Sequence, residues 1–356
     1  MKIKEGYMLI LGIDTSFDDT AAAVVDDNGH VHSNVLASDA TMFEKWGGVV
    51  PKMAREYHQK MIEPVIDRAL RRSNVRWSDV AAIAVTYGPG LAISLEVGLA
   101  KAKEISKLHN KPLIAANHME GHLLSFLLKP KVKQNSTSEN LKELFNLQFP
   151  FIGTLISGGH TEFVLVKNFG EYQVIGSTQD DAMGEAFDKV GRMLGLGFPA
   201  GKLLEQMAKL GRQDQVIFPI PMRQIKSCDT SYSGLKTAAS KIIAQQSMLD
   251  KQKIADIALS FQKAAILHLT EKLEFAIKQY HPKCLVVGGG VVANIEVRKA
   301  LRAIARKHKL EIAFPYSKKL CTDNAAMIAM AGVINYQRNN FVKEIDSLDR
   351  LPNLSL

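Results

Sequence analysis

Leu9-Ile10-Leu11-Gly12-Ile13-Asp14-Thr15-Ser16 and Phe151-Ile152-Gly153-Thr154-Leu155-Ile156-Ser157-Gly158-Gly159-His160-Thr161 decide the fold. Each is an apolar run that ends in a bend of small polar residues. Each run then returns, as Thr20-Ala21-Ala22-Ala23-Val24-Val25 before the turn Asp26-Asp27-Asn28-Gly29, and as Phe163-Val164-Leu165-Val166 before Asn168-Phe169-Gly170. Apolar runs of this length bounded by turn residues read as buried strands. Two hairpins of like design, about 140 residues apart, predict a duplicated α/β chain of two lobes with a central cleft.

Outward from the hairpins, Arg55 to Arg72 has the apolar spacing of a helix, and Ala81, Ile83 and Val85 mark a strand leading into Tyr87-Gly88-Pro89-Gly90. Ser94 to His109 reads as helix, as do Ala182 to Leu194, Leu203 to Lys209 and Ile254 to Lys278. Cys284-Leu285-Val286-Val287 reads as a buried strand feeding Gly288-Gly289-Gly290, after which Asn294 to Lys309 is helical. Cys321-Thr322-Asp323-Asn324 is expected to follow a buried strand too. The helix Asn324 to Asn335 is apolar enough to pack back on the first lobe. These spans predict a first lobe over 7–128 completed by a helix over about 323–338, a linker over 129–149 around the polar Gln134 to Asn140, and a second lobe over 150–322.

At 356 residues the chain is long enough for two moderate cores. No run approaches the ~18 consecutive apolar residues that span a bilayer, so a soluble protein with no membrane partner is expected. The start, Met1 to Gly6, has no apolar signal core, and Cys228, Cys284 and Cys321 are odd in number and widely spaced. Both point to the cytoplasm and away from a disulfide framework. The net charge of +9 is concentrated at Arg55, Arg68-Arg71-Arg72, Lys129 to Lys133, Arg298-Lys299-Arg302-Arg306-Lys307-Lys309 and Lys318-Lys319. Together these clusters make a nucleic acid a reasonable partner.

His118-Met119-Glu120-Gly121-His122 places two imidazoles four residues apart, on one face of a helix, where they can close on one metal ion. In a zinc peptidase a glutamate follows the first histidine directly. Here Met119 holds that place, and Glu120 lies about 200° round the helix, pointing away. The strand, triple glycine and helix opening at Asn294 form the arrangement in which backbone amides and a helix N-terminus hold phosphate. Ser157-Gly158-Gly159 offers amides at the second hairpin bend, and the two loops are expected to face each other across the cleft. That layout is the one of the actin, Hsp70 and sugar-kinase class of nucleotide folds, with Asp14 as the acidic residue of the first hairpin.

Gly88-Pro89-Gly90-Leu91, His118 through His122, Ser157 through Thr161, Asp180-Asp181-Ala182 with Gly184-Glu185-Ala186-Phe187-Asp188-Lys189, Ser233-Gly234-Leu235-Lys236-Thr237, Gly288-Gly289-Gly290-Val291 and Cys321 through Asn324 occur in one order over nearly the whole chain. In these motifs the sequence resembles the TsaD family of bacterial tRNA N6-adenosine threonylcarbamoyltransferases. The resemblance implies an actin-like fold of the ASKHA, RNase H-like kind. It also implies transfer of a threonylcarbamoyl group from threonylcarbamoyl-AMP to N6 of adenosine 37, in tRNAs reading codons that begin with A, with release of AMP.

The resemblance further implies one divalent metal per subunit, Fe(II) in preference to Zn(II), on His118, His122 and Asp323. Two imidazoles and a carboxylate suit either ion and leave coordination positions open. Asp323 by itself reads as a cap for the following helix. Substrate contacts carry over to Leu155, Ile156, Ser157, Gly158, Gly159, Asp188, Gly201 and Asn294, with Asp188 placed to accept ribose hydroxyls. Asp14 is the candidate for a catalytic role, and His160 and Thr161 serve either the donor or the hairpin. TsaB and TsaE are the companion subunits implied. Three departures stand out: Asp14-Thr15-Ser16-Phe17-Asp18-Asp19 replaces the family's Glu-Thr-Ser-Cys-Asp-Glu, Glu96 replaces an apolar residue, and a basic-proline element is missing from Phe341 to Leu356. The competing readings are a metallopeptidase, which Glu120 argues against, an actin-like ATPase or kinase, and an inactive scaffold.

Overall fold

The computed structural model describes residues 7–38, 50–131, 148–246 and 248–356. The polar stretch Gln134 to Asn140, read as linker, and the chain start at Met1 to Gly6 lie outside the described residues. The chain divides into two compact units, Met1–Leu147 with Phe314–Leu356, and Gln148–Ala313.

Unit 1 begins with the expected hairpin, β1 (Leu9–Asp14) and β2 (Thr20–Asp26), followed by β3 (Val31–Ala37). β1 and β2 are antiparallel with Leu9 opposite Asp26 and Asp14 opposite Ala21, and every residue of both is buried. Burial on both faces explains why the sequence reads as apolar runs rather than as an alternation. Helix α1 (Pro51–Ser73) has proline in its first turn, where no N–H partner is lost, and ends at Asn74, whose φ of 60° terminates it. It buries Ala54, His58, Ile62, Val65, Ile66 and Ala69, a stripe at helical spacing. β4 (Val80–Gly88), α2 (Ala92–His109), β5 (Leu113–Asn117) and the short α3 (His118–Leu124) follow. The sheet order is β3-β2-β1-β4-β5, with β4 parallel to β1 and β5 parallel to β4.

Unit 2 contains β6 (Phe151–Ile156), β7 (Thr161–Asn168), β8 (Glu171–Ser177), α4 (Met183–Met193), α5 (Gly201–Ala208), α6 (Ser233–Ala244), α7 (Lys251–Tyr280), β9 (Cys284–Gly288), α8 (Ile295–Lys307) and β10 (Glu311–Ala313). Its order is β10-β9-β6-β7-β8, again an antiparallel hairpin meander beside two parallel strands. Read from β8, the order repeats that of unit 1, so the duplication anticipated from two hairpins extends to whole sheets. The actin-like α/β class is the architecture observed.

The chain rejoins unit 1 as α9 (Ala325–Gln337), buried from Ala325 through Asn335. Small residues let it lie close on the sheet: a Cβ at Gly12 would sit 2.4 Å from the Ala325 carbonyl oxygen, and one at Gly332 2.5 Å from the Ala84 Cβ. Two local expectations are corrected. Cys321 follows a short 3₁₀ turn, Lys318–Leu320, instead of a strand, because Ser317 accepts the Lys319 N–H and both lysines are exposed. Unit 2 ends at Ala313 rather than at 322, since Phe314 onward belongs with α9. Among the described residues no helix is long and apolar enough to cross a membrane.

Candidate functional site

The end of β5 passes directly into α3. Asn117 makes that transition by capping: its Oδ1 accepts the N–H groups of Met119 at 2.8 Å and Glu120 at 3.2 Å. The cap starts the helix with His118, so His118 and His122 stand one turn apart, both buried, with ring centroids 4.8 Å apart. Asp323 Oδ1 lies 3.1 Å from His122 Nε2 and 3.5 Å from His118 Nε2. The three donor atoms all lie within 4.8 Å of one another. Asp323 is not the helix cap, because Asn324 does that work by accepting the Met327 N–H at 3.2 Å. This frees the Asp323 carboxylate for the imidazoles. Glu120 points the other way and accepts the Asn335 Nδ2–H at 3.1 Å on α9.

The electrostatics suit a cation. Burial alone would lower the pKa of His118, but Asp323 and Asp14 outweigh it and raise it to about 10. Burial opposes ionisation of Asp323 too, yet the neighbouring imidazoles hold its carboxyl well below the usual range. Asp14 Oδ1 accepts from Thr86 Oγ1 at 2.8 Å and Ser16 N at 3.2 Å, and lies 3.8 Å from His118 Nδ1. Beyond it, burial pushes the Asp18 carboxyl up and that of Asp19 up to about 7, with Asp323 adding repulsion in both cases. A partly buried bend crowded with carboxylates beside two converging imidazoles suits a positive ion. The two-nitrogen, one-oxygen donor set fits a divalent transition metal.

In unit 2, Leu155 and Ile156 are buried strand residues that deliver the chain to the β6–β7 bend. Ser157 closes that bend: its N–H donates to the His160 carbonyl at 2.8 Å and its Oγ accepts the His160 N–H at 3.0 Å. Gly158 and Gly159 then face open space, with nothing within 4 Å of where a Cβ would be. Thr161 turns inward, its Oγ1 accepting the Met183 N–H at 2.9 Å, so it ties the hairpin to α4. Asp188, on α4, accepts the amides of Ala200 at 2.8 Å and Gly201 at 2.9 Å through Oδ1. Burial raises its pKa while those two amides pull it back.

Around the triple glycine the geometry differs from expectation. Gly289 has φ of 95° and its Cα presses on the Ile156 backbone, where a Cβ would lie 2.4 Å from the carbonyl oxygen, so glycine here is required by the fold. A 3₁₀ turn, Gly290–Ala293, separates Gly288 and Gly289 from α8. The first α8 amides are already engaged. Asn294 Oδ1 accepts from Glu296 N at 2.9 Å and Val297 N at 3.2 Å, and Glu205 accepts the Ile295 N–H at 3.1 Å. Asn294 Nδ2 donates to Gln262 Oε1 at 2.9 Å, completing a buried network. The α8 N-terminus is thus self-capped, whereas the backbone at Gly158-Gly159 is open.

Sequence reading missed Thr86, Glu205 and Gln262, whose partners are remote in the chain. It also missed Asn117, although an asparagine just before a predicted helix is a cap signal. Glu96 finds a partner in Arg55, 3.7 Å away between α2 and α1. Among the basic residues of α8, Lys299 pairs with Glu296, Lys307 with Glu274, and Arg298 donates to the Val292 carbonyl, while Arg302 and Arg306 are exposed.

A family model described as "TsaD: tRNA N6-adenosine threonylcarbamoyltransferase" matches residues 30–330. A curated relative of that name from Persephonella marina is 41% identical over 335 residues, covering 93% of this chain and 91% of the relative. Another of the same name, from Clostridium kluyveri, is 40% identical over 350 residues, covering 98% and 97%. Among solved structures, HypF from T. kodakarensis aligns with a TM-score of 0.59 at 14% identity, covering 97% of this chain and 50% of that one, a likeness of fold alone.

Proposed function

The chain belongs to the TsaD family of tRNA N6-adenosine threonylcarbamoyltransferases, and from that premise we propose how its residues divide the work. It is a transferase that modifies tRNA, carrying the threonylcarbamoyl group of threonylcarbamoyl-AMP to N6 of adenosine 37 in tRNAs reading codons that begin with A. The carbonyl carbon of the donor gains a bond to N6 and loses its bond to the phosphate oxygen, and AMP departs. The donor is a mixed anhydride with a good leaving group, so positioning and charge stabilisation carry the rate and no covalent enzyme nucleophile is needed. The buried Cys228 and Cys284, whose thiols burial makes less acidic, fit that view.

In this reading Ser157, Gly158 and Gly159 hold the donor phosphate, with Leu155 and Ile156 fixing the strand beneath them. Asp188 and Gly201 meet the ribose, and Asn294 keeps α8 in place through Gln262. His118, His122 and Asp323 hold one divalent metal ion, Fe(II) in preference to Zn(II), and Asp14 orients His118. A metal bound there supplies Lewis acidity toward oxygen ligands. The convergence of three donor atoms within 4.8 Å is the observation that carries the metal assignment. Arg302, Arg306 and Lys309 contribute to binding the tRNA backbone, TsaB and TsaE are the companion subunits, and the cytoplasm is the place of action.

Mass spectrometry of digested tRNA after depletion of this protein tests the activity. Loss of threonylcarbamoyl-adenosine is expected, and an unchanged level overturns it. A peptidase reading gains nothing from Glu120, which faces Asn335, and the family assignment does not favour a kinase.

A further inference from the structure

The segment Leu351–Ser355 runs across the ends of two parallel strands of unit 1 and is bonded at each. Leu351 N–H donates to the Tyr87 carbonyl at 2.7 Å, near the end of β4, and Gly90 N–H donates to the Pro352 carbonyl at 3.1 Å. Asn117 Nδ2–H, at the end of β5, donates to the Ser355 carbonyl at 3.0 Å. The fit is close at Gly88, where a Cβ would lie 2.0 Å from the Leu351 carbonyl oxygen.

Asn117 is the residue that joins this segment to the metal centre. One end of its amide donates to Ser355; the other end accepts from Met119 and Glu120 and starts α3. Turned over, the amide would set oxygen against the Ser355 carbonyl and NH₂ against two N–H donors, so the network admits one orientation. α3 has seven residues, too few to hold a helical geometry by propagation alone. Its far end is fastened by Ser125 Oγ donating to the His122 carbonyl at 2.7 Å. His118 and His122 therefore sit on one short turn fixed at both ends, and the first fastening is made by the same amide that donates to Ser355.

We propose that Leu351–Ser355 is a clasp that sets the position of α3 through Asn117, making Asn117 a positioning residue for the metal centre. The inference rests on the assignment of His118, His122 and Asp323 as metal ligands. Partners that hold metal-ligating histidines in place change affinity by about 10–100-fold when removed, and Asn117 acts through the backbone of the ligands in the same sense.

The test measures Co(II) affinity by chelator competition, and the visible d–d spectrum, for the unmodified chain, Asn117→Asp and a variant lacking residues 351–356. Asn117→Asp keeps an oxygen to cap Met119 and Glu120 but loses the donor to Ser355, so the fold is retained while the clasp is released. Both variants are expected to bind Co(II) about tenfold more weakly, with a shifted d–d band. Affinity and spectrum unchanged in Asn117→Asp overturn the clasp, whatever the shortened chain does. Absence of Co(II) binding in the unmodified chain overturns the metal assignment together with the clasp, and so marks the two failures apart.

Discussion

In unit 1 the bend between the first two strands carries the buried Asp14 and the half-buried Asp18 and Asp19; in unit 2 the corresponding bend carries Ser157, Gly158 and Gly159, open and short of side chains. The two sheets have the same strand order, so the difference is not one of scaffold. Carboxylates beside imidazoles draw a metal ion, whereas exposed backbone amides draw a phosphate. One duplicated frame thus carries two opposite kinds of bend at the same point of the hairpin, an acidic one and an amide-lined one; under the proposed function the first lies beside the metal ligand His118 and the second holds the phosphate. A further contrast lies in what holds each bend, since Asp14 is tied to β4 through Thr86 while Ser157 is tied to His160 within its own turn.

The sharpest way to break this division is His122→Ala. Divalent-metal affinity is expected to fall at least about 100-fold, read by elemental analysis and Co(II) titration, while AMP affinity stays the same. A variant that keeps its metal, or loses AMP binding with it, would show that the two bends do not act separately.

Acid separates the units next. His268, on α7 in unit 2, accepts the Ser231 N–H at 3.1 Å and is held neutral by burial, with a pKa lowered to about 4. A depressed pKa makes its stability contribution complete above the ordinary value of 6.5 and lost as the pH falls through about 4. The loss from this one ring is about 2 kcal/mol at pH 5. His268→Gln should flatten the decline of unit 2 stability between those limits, followed by amide hydrogen exchange in each unit. A decline of the same steepness in the variant would place the acid-sensitive group elsewhere.

Gly159→Val tests the phosphate bend by filling the open space above it, and AMP affinity should weaken by about tenfold, or 1.4 kcal/mol, with metal content unchanged. Gly289→Val provides the contrast. Its Cβ would strike the Ile156 carbonyl at a φ of 95°, so lower stability is expected there before any change in binding. Calorimetry of both variants, with melting curves, distinguishes a ligand-facing glycine from a fold-required one. Equal AMP affinity for Gly159→Val and the parent would remove the bend from the donor site.

The smallest effect is expected on the exposed face of α8. Neutralising Arg302, Arg306 and Lys309 together should lower tRNA affinity and reduce the slope of log affinity against log salt by about 2. Filter binding over a salt series reads it, and a parallel line would return these side chains to ordinary solvation.

Much of this was legible because burial leaves a strong mark on composition. β1, β2 and β6 are buried on both faces and read as uninterrupted apolar runs, and α9 is buried nearly all round. By contrast α6 buries only Leu235 and Ala239, and β10 has three residues, none of them buried, so neither leaves a readable pattern. The spacing of His118 and His122 made their shared helix face legible, and the two rings stand together there. Asp323, 201 residues from His122, was not legible, and only the family resemblance supplied it. At Asn294 a sequence displays the helix start but not the Glu205 and Asn294 oxygens that occupy its first amides.

The division of unit 1 into two stretches of chain governs the order in which a ribosome can deliver it. Residues 148–313 form a continuous unit, whereas unit 1 lacks α9 until residue 337 has been made. Met327, Ile328, Met330, Val333 and Ile334 of that helix are buried, and at about 1.5–3 kcal/mol apiece they are worth on the order of 10 kcal/mol to unit 1. At roughly 5–20 residues per second, the sheet β3-β2-β1-β4-β5 waits on the order of ten seconds or more with the face meant for α9 uncovered. Unit 2 can mature in that interval. Asp323, just ahead of α9, is then among the last parts of the centre to arrive, so His118 and His122 spend most of the chain's synthesis as an incomplete pair.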